Sequence, residues 1–289
     1  MPDNIKIGVI GGDRRQTVVA ERLGKRYECA AWGLERVPDC AVRCADWKDA
    51  ARGAGAVILP LPVTRDGENL NSTEIPLGEI CSLLHEGVLL CSGMIPRSVH
   101  ELAEERGAEV FDYYESESVQ IRNAVPTAEG TIAALIGEMP VTIDGMTVVV
   151  TGYGRCARTL AKKLILLGAV VYAAARSEKD LSWAEVDGCV PIALKDYCEF
   201  PLACDAVVNT VPVKLFDGQV LEGIDPRTTL FDLTNGCAGI DTDAAERLGI
   251  KVVPLPSLPG KTSPETAGNI IADAVTKRIC EHTRKAAER

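Results

Sequence analysis

Along the chain, short β-branched apolar runs alternate with stretches whose apolar residues recur at helical spacing. In the first half the strand-like runs are Ile5–Ile10, Glu28–Ala31, Ala56–Leu59, Val88–Cys91 and Glu109–Phe111. Helical spacing occupies about Arg15–Leu23, Leu77–His85 and Ser98–Arg106. Residues Ser116–Met139 read as a long helical connection that Pro126 interrupts, with Thr127 placed to cap the segment that follows. A second series of runs starts after about Val141: Thr147–Thr151, Ala169–Ala175, Val190–Ala193, Ala206–Thr210, Thr229–Leu233 and Lys251–Val253. A last helix is expected from near Pro264 to about His282. Its start, Thr262-Ser263-Pro264-Glu265, combines N-cap candidates, an early proline and an acidic first turn. Strands alternating with helices predict parallel sheets covered by helices.

One turn in this pattern carries chemistry. The run Thr147–Thr151 enters Gly152-Tyr153-Gly154-Arg155-Cys156-Ala157 and leaves into the helical pattern Arg158–Gly168. Strand, glycine turn and helix in that order form the dinucleotide fingerprint in its proper context. Gly152 permits the tight turn, Gly154 lets the backbone approach a pyrophosphate, and Ala157 lets the helix pack on its strand. The helix N-terminus then offers N–H groups and a positive dipole end to the phosphates. The alternative is a glycine turn in an α/β domain that binds no nucleotide. The next strand selects the cofactor. NAD enzymes usually place a carboxylate at its end, against the ribose 2′-hydroxyl. Here the strand ends in Ala175-Arg176-Ser177, and no carboxylate follows until Glu178. Arg176 offers a fork to a 2′-phosphate and Ser177 a hydroxyl, so NADP is expected, with NAD still open.

The fold class expected is therefore α/β, with two doubly wound parallel-sheet domains joined by crossing helices. The N-terminal domain, 1–115, is flavodoxin- or Rossmann-like. Linking helices fill 116–140, a Rossmann NAD(P)-binding domain 141–262, and a C-terminal helix at 263–289 returns to the first domain. A cleft between two such domains is the usual ligand site.

Composition narrows the class. The 289 residues are 46% hydrophobic, enough for two cores, yet no apolar run approaches 18 residues, so no membrane span is expected. The start lacks the basic and apolar regions of a signal peptide, which points to the cytoplasm. A net charge of −10 without a basic stripe argues against nucleic acid. Eleven cysteines with no metal-type spacing, beside only three histidines, read as reduced buried thiols rather than a metal centre.

In so acidic a protein an acidic ligand needs local cations. After the first strand comes Gly11-Gly12-Asp13-Arg14-Arg15. Two glycines bring backbone N–H groups close and two arginines supply forks, so Asp13, Arg14 and Arg15 are substrate-site candidates. The competing reading is a turn with a charged first helical turn. Lys261, in a loop near the chain's end, is a further cation for substrate. Thr127 and Glu129, beside the break at Pro126, are catalytic candidates with Lys261. Thr210, Val211 and Pro212 follow one strand of the second domain and Thr234 the next, where a nicotinamide and its ribose would pass. Residues 140–260 contain no histidine. Oxidation of an alcohol usually wants a positioned His, so a reaction with an easier proton transfer fits better.

Taken together these segments resemble the A-subunit family of dipicolinate synthase. The resemblance rests on Val9–Gln16, Val125–Gly130, Val150–Arg155, Ala175–Ser177 and Leu258–Gly268, in order along the whole chain. One segment, Asp232–Gly239, departs from the family's Ser-x-Pro-Gly-Gly type of loop. The resemblance implies NAD(P)-dependent oxidation of a dihydrodipicolinate-type intermediate to pyridine-2,6-dicarboxylate in a spore-forming cell. It also implies a second subunit resembling flavoprotein decarboxylases; self-association into a homo-oligomer is expected as well. Two other readings stay open: a related two-domain hydroxy-acid or amino-acid dehydrogenase, and a nucleotide-binding subunit silent without its partner.

Overall fold

The computed structural model describes residues 5–199, 201 and 203–288. Its elements run β1 (Lys6–Ile10), α1 (Arg14–Gly24), β2 (Glu28–Trp32), β3 (Val42–Arg43), α2 (Trp47–Ala51), β4 (Ala56–Ile58), α3 (Leu77–Ser82), β5 (Leu89–Ser92), α4 (Arg97–Glu105) and β6 (Glu109–Asp112). A helix α5 (Glu117–Glu138) follows. Then come β7 (Thr147–Thr151), α6 (Arg155–Leu166), β8 (Val170–Ala175), α7 (Glu178–Val186), β9 (Val190–Ala193), α8 (Leu194–Glu199) and β10 (Ala206–Asn209). The chain ends with α9 (Gly218–Glu222), β11 (Thr229–Asp232), α10 (Thr242–Arg247), β12 (Val252–Pro254), α11 (Leu258–Thr262) and α12 (Pro264–Ala287). The chain divides into two compact units, residues 1–123 with 263–289, and residues 124–262.

In the first unit six parallel strands run in the order β3-β2-β1-β4-β5-β6. That is the Rossmann order, which decides between the two N-terminal alternatives. The strands are continuous apolar runs because helices cover both faces. Short β3 and α2 were not legible as periodic segments. Their trace in the sequence is Gly8, in mid-strand: a Cβ there would collide with the Ala50 carbonyl oxygen, so α2 can lie on β1 only over a glycine. Helix α12 packs along α1, burying Ile271, Ala272, Val275 and Ile279 in the core of this unit. Gly268 permits the approach, since a Cβ would come 2.6 Å from the Val18 Cβ. Burial of each large aliphatic side chain contributes about 1.5–3 kcal/mol. Arg278 and His282 tie the far end of α12 to Glu109.

The second unit repeats the order, β9-β8-β7-β10-β11-β12. Its core joins β7, β8 and β10 to Leu160, Ala161 and Leu164 of α6 and to Ala128, Ile132 and Leu135 of α5. Here the linker expectation needs correction. Pro126 does not break the connection; α5 is one helix through it. Proline removes one N–H and crowds the carbonyl four residues back, and burial of Pro126 with Ala124 and Ala128 holds the helix together around that defect. Thr127 is therefore no cap. It sits in mid-helix, where its carbonyl accepts from the Thr131 hydroxyl (2.9 Å). Residues Leu258–Thr262, expected as loop, form the short helix α11. Among the described residues no helix is long and apolar enough to cross a membrane. All eleven cysteines are free thiols, and burial pushes those of Cys29 and Cys204 up to about 12.

Asp187, at the end of α7, gathers Tyr153 Oη (3.2 Å), the Arg158 guanidinium and Lys162 Nζ (3.4 Å). Arg158 stacks 4.0 Å over the Trp183 ring. The hydrogen bond from Arg158 holds the Asp187 carboxyl below its usual value. A carboxyl lowered in the folded state stabilises above its unfolded pKa, near ~3.9, and the contribution is lost as pH falls through the lower folded value. Asp187→Asn is expected to cost about 1–2 kcal/mol at pH 7, at the low end of charged hydrogen bonds because Arg158 is 35% exposed. Denaturant titration should show the gap between variant and wild type closing below about pH 4.

Candidate functional site

Both units place a glycine turn after their first strand, at the point where strand order reverses and where α/β sheets bind ligands. The two turns are finished differently. In the second unit Gly152 takes φ +82°, and its N–H donates to the Ala174 carbonyl (2.8 Å). A Cβ there would lie 2.8 Å from the Thr210 hydroxyl oxygen, so sterics and backbone both require glycine. Gly154 is the N-cap of α6. No side chain caps that helix and its first turn holds no acid. A Cβ built on Gly154 would meet nothing within 4 Å. With no capping carboxylate and open space where a Gly154 Cβ would stand, the positive end of α6 has the geometry a dinucleotide pyrophosphate needs.

In the first unit Gly11 and Gly12 have φ +69° and +112°, but α1 is already capped. Asp13 accepts from the Arg15 N–H (2.9 Å) and binds the Arg15 guanidinium through both oxygens (2.9 and 2.7 Å). A carboxylate therefore occupies the helix end, and a phosphate is not favoured there. The arginine that neutralises it is spent: its side chain is only 10% exposed and also donates to the Leu61 carbonyl (2.6 Å). Arg14, by contrast, is exposed. The sequence presents Arg14 and Arg15 as a pair; their environments separate them.

The other expected residues fall as follows. Tyr153 is buried and its hydroxyl is committed to Asp187, and burial first of all pushes its phenol far up. Only its backbone belongs to the turn. Arg155 is exposed on the first turn of α6, and Cys156 beside it hydrogen-bonds Thr127. Thr127 thereby reaches the fingerprint turn. Glu129 pairs instead with Lys163 of α6 (2.9 Å). Arg176 is exposed at the end of β8, with no ion pair among the described residues. Ser177 caps α7, accepting from the Asp180 N–H (3.1 Å). Thr210 donates to the Thr151 carbonyl (2.7 Å), Val211 bonds Asn209, and Pro212 is exposed. Thr234 is buried and accepts from the Gly239 N–H. Lys261 is exposed on α11.

Beneath these loops, which open at Asn209 and Asp232 and were expected to pass the nicotinamide and its ribose, lies a buried polar row whose pairing the sequence does not show. Thr151, Asn209 and Asp232 end β7, β10 and β11 and pair in register. Thr151 donates to Asn209 Oδ1 (2.6 Å), and Asn209 Nδ2 donates to Asp232 Oδ1 (3.2 Å) and to the Val211 carbonyl (3.2 Å). Asp232 Oδ1 also accepts from the Thr234 N–H (2.8 Å). All three side chains are fully buried. They hold the loops after β10 and β11 in one conformation. The available signal was a polar residue closing each of three apolar runs, visible only when the runs are aligned as neighbours.

The family model for the N-terminal domain of the dipicolinate synthase A-subunit matches residues 6–114. Over 293 residues the chain is 31% identical to the dipicolinate synthase A-subunit of Bacillus subtilis (strain 168), covering 97% of this chain and 98% of that protein. The crystal structure of the dipicolinate synthase A-subunit from Bacillus halodurans superposes with a TM-score of 0.88 at 27% identity, over 96% and 98% of the two chains. An L-alanine dehydrogenase shares the fold alone, with a TM-score of 0.66 at 14% identity over 98% and 91%.

The contrast between the two helix ends is testable. Gly154→Asp adopts the extended cap conformation that Asp13 has and fits the open space. The variant should melt at or slightly above the wild-type temperature, a good cap contributing about 1 kcal/mol. Its nucleotide affinity, read by titration, should fall at least about tenfold, since a carboxylate then fills the phosphate position.

Proposed function

The chain belongs to the A-subunit family of dipicolinate synthase, and from that premise we propose that it oxidises a dihydrodipicolinate-type ring to pyridine-2,6-dicarboxylate with NADP. The observation that carries the reading is the uncapped N-terminus of α6 behind Gly152-x-Gly154, in a unit whose second strand ends in Arg176 instead of a carboxylate. The oxidation removes a hydride and a proton from the ring. NADP supplies the hydride acceptor when bound. The chain's own residues bind and orient. Gly152 and Gly154 with the first turn of α6 receive the pyrophosphate, Arg176 receives the 2′-phosphate, and the loops held by Asn209 and Asp232 line the nicotinamide end. Arg14 offers charge to the dianion. Aromatisation drives loss of the proton, which fits a stretch of sequence without histidine.

The relatives are named as one component of a multi-component synthase, which supports a partner polypeptide. We assign it the flavoprotein-decarboxylase type, and a chain that turns over only with that partner is the second reading. Assay of the purified chain with and without the partner, on the dihydro-dicarboxylate and on a panel of hydroxy and amino acids, separates these readings and tests the first.

Cofactor choice gives a sharper test. Wild type should bind NADP more tightly than NAD. Arg176→Ala should weaken NADP selectively, by about 1–3 kcal/mol for a lost charge-assisted contact, and leave NAD unchanged. Equal affinities of wild type for the two nucleotides in a titration would remove NADP from the reading.

A further inference from the structure

We propose that Arg65, on the loop between β4 and α3, holds one carboxylate of the dicarboxylate and Arg14 the other; this rests on the substrate reading above. A dianion leaving water for an acidic protein needs a cation for each charged group. The sequence offers Arg14 and Arg15 side by side, but Arg15 is consumed by Asp13 and the Leu61 carbonyl. One fork is missing.

The loop after β4 supplies it. β4 pairs with β1 at the point where the strand order reverses. The base of the loop is stapled to the turn that carries Arg14. Arg15 donates to Leu61, Gln16 Nε2 to the Leu59 carbonyl (2.5 Å), and Leu70 lies 3.2 Å from where a Cβ on Gly11 would stand. The tip is built on Asp66. Its Oδ1 accepts from the Thr64 hydroxyl (2.9 Å), the Glu68 N–H (2.9 Å) and the Asn69 N–H (2.8 Å), and its Oδ2 accepts from Asn69 Nδ2 (2.9 Å). The carboxylate next to Arg65 is thus saturated by its own turn. Arg65 itself is exposed, with no ion pair or hydrogen bond among the described residues. After β5 the corresponding cation, Arg97, is already paired with Glu101 (2.7 Å). Arg14 and Arg65 are the forks left open on the two strands that flank the reversal. A tip ordered before ligand arrives lowers the ordering cost of binding, and guanidinium matches carboxylate bidentately.

The experiment titrates the full-length wild type, Arg65→Gln, Arg65→Lys and Arg14→Gln with pyridine-2,6-dicarboxylate and with pyridine-2-carboxylate. NADP titration and thermal melting report on fold. Arg65→Gln should weaken the diacid roughly 10- to 100-fold while the monoacid changes by less than about threefold, and Arg65→Lys should recover part of the loss. NADP affinity and melting should stay at wild type. If Arg65→Gln binds the diacid as wild type does, or weakens diacid and monoacid equally, the assignment of Arg65 is wrong while the substrate reading stands. If wild type binds neither acid, the substrate reading itself fails and Arg65 falls with it.

Discussion

The N-terminus of a helix leaves backbone N–H groups that something must satisfy. In two units of the same strand order, that requirement is met in two ways. Asp13 meets it inside the chain for α1, and Arg15 then neutralises Asp13. Gly154, having no side chain, supplies no such group to α6. This difference suits one unit to a nucleotide and the other to something else. It also commits the Arg15 guanidinium to Asp13 and the Leu61 carbonyl, while its neighbour Arg14 stays exposed.

The rest of the site is built on rigid strand ends. In the second unit Thr151, Asn209 and Asp232 form a buried row whose hydrogen bonds run across three strands and up into the following loops. Buried polar groups are costly unless paired, and here every side-chain polar atom of the row but Asp232 Oδ2 has a partner. In the first unit the loop after β4 is ordered by Asp66 and fastened to the β1 turn. Each unit thus presents loops ordered by their own side chains, before any ligand binds.

The fingerprint turn, the strands on either side of it and the α/β class were legible because each rests on local spacing: glycines at fixed offsets, β-branched runs, helical periodicity. The short pieces were not. β3, α2 and α8–α10 are too short for a period to show, and packing rather than propensity makes them. Pro126 misled for a related reason. A proline weakens a helix locally, but the buried face of α5 outweighs one missing hydrogen bond. Thr127, read as a cap beside that break, instead reaches Cys156 from mid-helix.

By itself, then, the sequence determined the family, the two parallel-sheet units and the glycine turn suited to a dinucleotide, all of which follow from residue type at short separation. Tertiary structure decided which charges are free. Arg14 and Arg15 are adjacent in sequence, yet one is exposed and the other locked under Leu61. Tyr153 lies inside the fingerprint, yet its side chain serves Asp187, 34 residues away. Asn209 and Asp232 become partners only because β10 and β11 lie side by side. The availability of a polar group depends on what surrounds it in space, and that is set by long-range packing, which no local pattern encodes.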